Sequence, residues 1–244
     1  MKQICWFPVP ILVASLAVLS SAQADTDRVL VFTKTTGYRH ESIPTAVEAL
    51  GAIARRHGLR VDHTEDGDVF RAERLSGYRI VAFLNTTGDV LDSAQHHAFE
   101  RFIQAGGGFL GVHSAADTEY DWGWYGELVG AYFKSHPPGF QTGTVRFAAP
   151  PVDSGATEWR VTDEFYNFRA NPRGKVTVIA TLHEREDSGG EMGDDHPIAW
   201  CRAFDGGRSW YTGLGHRPEL YADAMFLKHL EQGLLYAASR SDRC

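Results

Sequence analysis

Cysteine is scarce in this chain. Cys5, Cys201 and Cys244 are the whole complement of 244 residues, which excludes the disulfide framework that staples small secreted domains. No CxxC, HExxH or EF-hand loop occurs, so no metal motif is written locally. Basic charge is not in excess: 24 Lys and Arg against 31 Asp and Glu leave a formal charge of -7. That argues against nucleic acid or an anionic membrane surface as a partner. Low-complexity tracts and internal repeats are absent. Long apolar runs are confined to the N-terminus, where Phe7 to Leu19 follows Lys2 and precedes Ala22-Gln23-Ala24. We read residues 1–24 as a secretory signal, with residues 25–244 as a single domain in the periplasm or secreted. No integral span is expected after cleavage; an uncleaved anchor is the alternative, and the run is short for one. Cys5 is not in a lipobox-like setting. Cys201 sits in an apolar strand and Cys244 is the last residue, so both are expected to be unpaired.

What is present is ordinary globular composition, 43% hydrophobic and 23% charged. Arg28–Phe32 is a short β-branched strand. Ile43, Val47, Leu50 and Ile53 have helical spacing, with Gly58 as the stop. Strands follow at 59–63 and 78–84, then a helix capped by Ser93 with Phe99, Phe102 and Ile103 inward, and a fourth strand at 106–112. A short helical turn within 69–76 would complete strict strand–helix alternation. Such alternation predicts an α/β fold with a doubly wound, mostly parallel sheet. Trp122 to Phe133 reads as a short helix, and Gly143–Phe147 as an antiparallel addition. Glu164 to Phe168 is too aromatic for a plain loop. Strands at 176–182, 197–201 and 209–214 follow, the last two joined through the Asp205-Gly206-Gly207 turn. A final amphipathic helix covers 218–239. The later strands give the sheet an antiparallel edge extension.

Open parallel sheets bind ligands beyond the carboxyl ends of their strands. The residues just past those ends are Thr33 to His40, Asn85-Thr86-Thr87, His113-Ser114 with Asp117, His183, and His216-Arg217. Separate segments therefore deliver imidazoles and small polar groups to one edge. Within TTGYRHES, Gly37 permits a turn and His40 to Ser42 open a helix whose free N–H groups favour anions or hydroxyls; His40 or Ser42 as a simple cap is the alternative. His136 lies in a loop fixed by Pro137 and Pro138, which suits a ligand or a plain turn. His196 precedes a strand, where a plain surface turn is the alternative to a functional role.

The stretch GGGFLGVHSAAD, Gly106 to Asp117, ends a buried strand at a small-residue turn, where α/β enzymes place a nucleophile. Here the lifted residue is His113. Ser114 is one position late and no cysteine is near, so serine-hydrolase and thiol chemistry are excluded. A divalent metal such as zinc can be held by His113, His136 and His216, with Asp117 or Glu164 completing the shell. No cofactor is certain. For a small-molecule sugar, Tyr38, Trp122, Trp124, Tyr125, Phe165 and Tyr166 offer apolar platforms, and Arg39, Asn85, Asp117 and Asn167 offer polar contacts; core packing is the alternative for the aromatics. Histidine is tuned for proton transfer near neutral pH, and paired glycosidase carboxylates are not evident.

Together, VFTKTTGYRHESI, FLNTTGD, FERFIQAGGGFLGVHSAAD, YFKSHP, VTDEFYNF and HPIAWCRAFDGGRSWYTGLGHRPELY resemble the ThuA-like, trehalose-utilisation family. The resemblance implies a flavodoxin-like fold of the class I glutamine amidotransferase-like superfamily, with His113 standing where relatives carry a catalytic cysteine. It implies carbohydrate metabolism rather than amidotransfer. A 3-keto-glycoside substrate would need a base, His113, and a group polarising the carbonyl oxygen, His216 or a metal, with Asp117 assisting. Tyr38, Arg39, His40, Asn85, Thr86, Trp122, Glu164, Tyr166 and Asn167 would bind substrate. A non-catalytic sugar-binding or accessory module is the alternative, and a scaffold has no positive mark.

Overall fold

A computed structural model describes residues 27–185 and 187–244. The signal-like segment 1–24 therefore lies outside the described residues. Five strands form the parallel half of one sheet: β1 (Arg28–Phe32), β2 (Arg60–Thr64), β3 (Ile80–Leu84), β4 (Gly108–Val112) and β11 (Gly207–Thr212). Four more extend it antiparallel: β6 (Gln141–Phe147), β7 (Glu158–Asp163), β9 (Thr177–His183) and β10 (Pro197–Phe204). The order is β2-β1-β3-β4-β11-β10-β9-β6-β7. The first four positions are the flavodoxin-like 2-1-3-4 arrangement. A separate two-stranded ribbon pairs β5 (Phe133–Ser135) with β8 (Asn167–Phe168).

The central strands of the parallel half are buried on both faces, while the edge strand β2 is not. β1, β3 and β4 read RVLVF, IVAFL and GFLGV, continuous apolar runs rather than alternating ones. α1 (Ile43–Arg56) buries Ile43, Ala46, Leu50 and Ile53, begins with a proline in its first turn, and stops at Gly58 with φ +69°. α2 (Ala72–Leu75) is the short turn that completes the alternation. α3 (Ser93–Gln104) is capped by Asp92, not Ser93. The Asp92 carboxylate accepts from Gln95 N, and Gln95 returns a bond to the Asp92 N–H. α5 (Ala224–Ala237) packs against β4 so closely that a Cβ on Gly108 would meet the Ala237 carbonyl.

Three expectations change in detail. The aromatic stretch after Trp122 divides into α4 (Gly123–Val129) and β5. The last helix is interrupted, because Pro218–Ala222 forms a 3-10 turn and Asp223 caps α5 through Met225 N and Phe226 N. Cys201 and Cys244, expected unpaired, form a disulfide with Cα atoms 6.1 Å apart, a normal separation for the bond. The tail folds back because Arg208 donates to Ser241 O and Gln232 to Arg243 O, which holds a terminal residue that would otherwise fray. Among the described residues no helix is long and apolar enough to cross a membrane.

Candidate functional site

β1, β3, β4 and β11 run in the same direction, so their carboxyl ends share one edge. β7 ends on that edge too, through the chain of antiparallel pairings. At this edge the backbone is tightly turned. Asn85 (φ 55°) follows β3 and His113 (φ 51°) follows β4. Non-glycine residues held in the left-handed region cost about 1–3 kcal/mol each and concentrate at functional sites.

Four side chains from four segments meet there. His40, His113, His216 and Glu164 each offer one ligand-type atom, and those atoms lie within 4.8 Å of one another. His113 is fully buried. Its Nδ1 donates to the Gly213 carbonyl at 2.8 Å. A carbonyl can only accept, so Nε2 presents its lone pair to the cluster. That Nε2 is 3.2 Å from His216 Nδ1, and His216 Nδ1 is 3.1 Å from Glu164 Oε1. Tyr211 OH donates to the His113 carbonyl, and the Tyr166 ring backs the imidazole at 4.2 Å. His40 Nδ1 is 3.3 Å from Ser114 Oγ.

Electrostatics set the protonation of the group. Burial, and then the neighbouring His113 and His216, push His40 down to about 2, so it stays a neutral donor ligand. Burial alone would raise the Glu164 carboxyl. The neighbouring His113 and His216 imidazoles more than offset this and hold it well below the usual carboxylate range. The result is one carboxylate facing three imidazoles. Three nitrogens and one oxygen are a donor set that fits zinc or a similar divalent transition metal.

Two residues not foreseen in the sequence organise this set. Asp163 is fully buried and accepts from the N–H groups of Gly215 (2.7 Å), His216 (3.4 Å) and Arg217 (3.2 Å). Burial pushes its carboxyl up, while His113 and the Gly215 N–H pull it back. Gly215 has φ +122°, which lets three consecutive N–H groups face one carboxylate. Ser42 Oγ donates to the Gly215 carbonyl and accepts from Asn85 Nδ2. Ser42 occupies the N-cap position of α1, but no side chain, neither its own nor that of His40, bonds the helix start.

The other candidates fall at varied positions. Tyr38 lies beside the cluster, its ring 4.9 Å from His40 and 6.3 Å from His216. Arg39 pairs with Glu65 on the surface. Asn85 is buried and braces the Gly215 loop, its amide donating to Gly215 O and its oxygen accepting from Tyr221 OH. Thr86 is buried against Thr118. Asp117 accepts from Tyr120 OH, and burial raises its carboxyl. His136 stands outside the four-residue group, with Nδ1 3.3 Å from the other Glu164 oxygen and 2.9 Å from Pro137 O. Asn167 spends its amide on Ser135 Oγ and Glu191 N. Trp122 stacks on His96 and Trp124 and donates to Glu100. His183 contacts Arg146 and Thr181 instead of the cluster. His196 is not a surface turn: it is buried, paired with Glu184 at 2.6 Å, and faces the Tyr166 carbonyl.

The family model ThuA, described as trehalose utilisation, matches residues 28–237. No curated protein matches the chain. A ThuA-like protein of Bacteroides uniformis superposes with TM-score 0.70 at 21% identity, over 93% of this chain and 95% of that one. One from Parabacteroides merdae gives 0.68 at 19%, over 88% and 90%. A beta-galactosidase of Bacillus circulans gives 0.56 at 13%, over 89% of this chain and 32% of that one. At these identities the likeness shows the fold alone.

Proposed function

The chain belongs to the ThuA family, and from that premise we propose that it is an exported enzyme acting on trehalose or a related disaccharide, with a 3-keto-glycoside as substrate. The carrying observation is the meeting of His40, His113, His216 and Glu164 at the carboxyl edge of the sheet. Export is supported by the signal-like segment and by the Cys201–Cys244 disulfide, a bond that persists in oxidising compartments.

A ketone acidifies the C–H beside it. In the proposed elimination, the Nε2 lone pair of His113 takes that proton and the C–H electron pair moves onto the ketone oxygen as an enolate. The enolate then re-forms the ketone and expels the glycosidic oxygen of the adjacent carbon, which takes up a proton. His113 suits the base role because Gly213 O fixes its Nδ1–H outward. His216, hydrogen-bonded to anionic Glu164, can carry a proton to the leaving oxygen. Alternatively, His40, His113, His216 and Glu164 would hold a divalent metal such as zinc, in which case the His113 lone pair binds the ion and does not take the proton. When bound, the ion would supply Lewis-acid polarisation of an oxygen. Glu164, held as a carboxylate, and the neutral His40 support that reading.

The test is turnover of 3-keto-trehalose by purified protein. His113→Ala is expected to lower it by about 100-fold or more without unfolding the chain. Unchanged turnover in that variant would remove the base assignment. Tight trehalose binding with no turnover by the wild type would instead favour a sugar-binding module.

A further inference from the structure

Large apolar side chains left in solvent are few among the described residues, and they are not scattered. Tyr38 is 62% exposed and Phe140 is 53% exposed. They come from distant segments, one after β1 and one between β5 and β6. Both stand against the same imidazole: the Phe140 ring centroid is 5.4 Å from that of His216, and the Tyr38 ring is 6.3 Å away and nearly parallel, at 17°. The mouth of the histidine cluster is therefore rimmed by three rings, Tyr38, His216 and Phe140, with His216 in the middle.

Nothing in the fold requires these two rings to be exposed, yet both are held in place. Thr87 Oγ1 donates to the Tyr38 carbonyl at 2.9 Å. Pro137 and Pro138 stiffen the approach to Phe140, and Gln141 Nε2 donates back to Pro138 O. The Arg217 guanidinium lies 5.1 Å from the Phe140 centroid. The Phe140 platform thus combines an apolar face with a hydrogen-bond donor at its border. A pyranose ring has the matching surface: a face of C–H groups that suits the negative face of an aromatic ring, and an equatorial belt of hydroxyls. Aromatic rings separated by an imidazole would serve a protein partner poorly, because such interfaces need a contiguous, well-packed centre.

We infer that Tyr38 and Phe140 form a stacking subsite for the second, non-reacting sugar ring, so that the site selects a two-ring glycoside over a free monosaccharide. This rests on the sugar reading proposed above. The reacting ring sits over His113, His216 and Glu164. Its glycosidic partner leaves the cluster at the His216 rim, where the two exposed rings receive it. Tyr38 and Phe140 act on binding and selectivity and take no part in proton transfer.

The experiment compares trehalose with glucose by ligand-observed NMR titration of the full protein with zinc present. It is run on the wild type and on the Tyr38→Ala/Phe140→Ala double variant. Exposed side chains contribute little to folding, so the melting temperature of the variant should match that of the wild type. Wild-type protein is expected to bind trehalose more tightly than glucose. The double variant is expected to lose roughly ten-fold in trehalose affinity while its glucose affinity moves by less than about two-fold. Equal trehalose affinity in wild type and variant would overturn the stacking subsite and leave the sugar reading standing. Equal loss for both sugars would also overturn it, since the rings would then serve the reacting ring. A wild type that binds neither sugar would remove the sugar reading and this inference with it.

Discussion

His113 is held by contacts that leave it one orientation. Tyr211 fixes its carbonyl, Gly213 O fixes its ring, and Tyr166 covers one face. Its left-handed backbone is kept by those contacts rather than by local preference. A second buried imidazole makes a contrast. His229 on α5 lies against Trp210 and Phe147, and its Nε2 has no hydrogen-bond partner. Burial pushes it down to about 3. In the unfolded chain it titrates near 6.5. Between those values the unfolded state binds a proton that the folded state refuses, so stability must fall as pH drops from about 6.5 towards 3. His229→Leu should remove up to about 1.4 kcal/mol per pH unit of that acid-side slope. Denaturant melts at pH 7, 6 and 5 would show it, and parallel profiles for wild type and variant would contradict it. The two histidines look alike in the sequence. Neighbouring glycines and the strand-end position marked His113, whereas nothing local could show that His196 and His229 are interior or that His40 joins the cluster in place of His136.

At the scale of elements, function depends on where strands end. The ends of β1, β3 and β4 were legible because apolar runs stop abruptly at small polar residues. β7 was not, because its exposed positions in EWRVTD carry charge and break the apolar signal. With β7 unseen, the role of Asp163 was invisible too. Likewise Pro218–Ala222 carries helical spacing in sequence and yet forms a separate turn, which lets Asp223 cap α5. Asp163 ties the antiparallel extension to the β11 loop through three backbone N–H groups. Asparagine at this position keeps one acceptor and turns an N–H₂ group towards backbone donors. Asp163→Asn should cost about 1–3 kcal/mol of stability and weaken metal affinity about 10–100-fold through displaced His216. A thermal melt paired with a zinc titration checks both; full stability with full affinity would show that the clamp is dispensable.

Across the described residues, the sheet carries the site on one edge and the C-terminal tail is tied down elsewhere. Strand–helix alternation made β1 to β4 predictable, since period and composition are local properties, whereas the parallel pairing of β11 with β4 was not. The disulfide was not, because pairing depends on a tail that returns to β10 only through tertiary contacts. The bond joins residues 43 apart. In the chain-entropy account such a loop is worth about 4 kcal/mol. Reduction, or Cys201→Ser, should lower Tm by roughly 8–16 °C in calorimetry under otherwise native conditions. A shift below about 2 °C would mean that the tail is held without it.

The clustering of four side chains from separate strand ends is tested most directly by metal stoichiometry. Purified protein, stripped with chelator and titrated with zinc, should take up about one equivalent per chain. His113→Ala and His216→Ala should each abolish tight uptake while circular dichroism stays native, because each removes one of the four donors. Uptake of no zinc by the wild type, or undiminished uptake by both variants, would contradict a metal centre at the sheet edge.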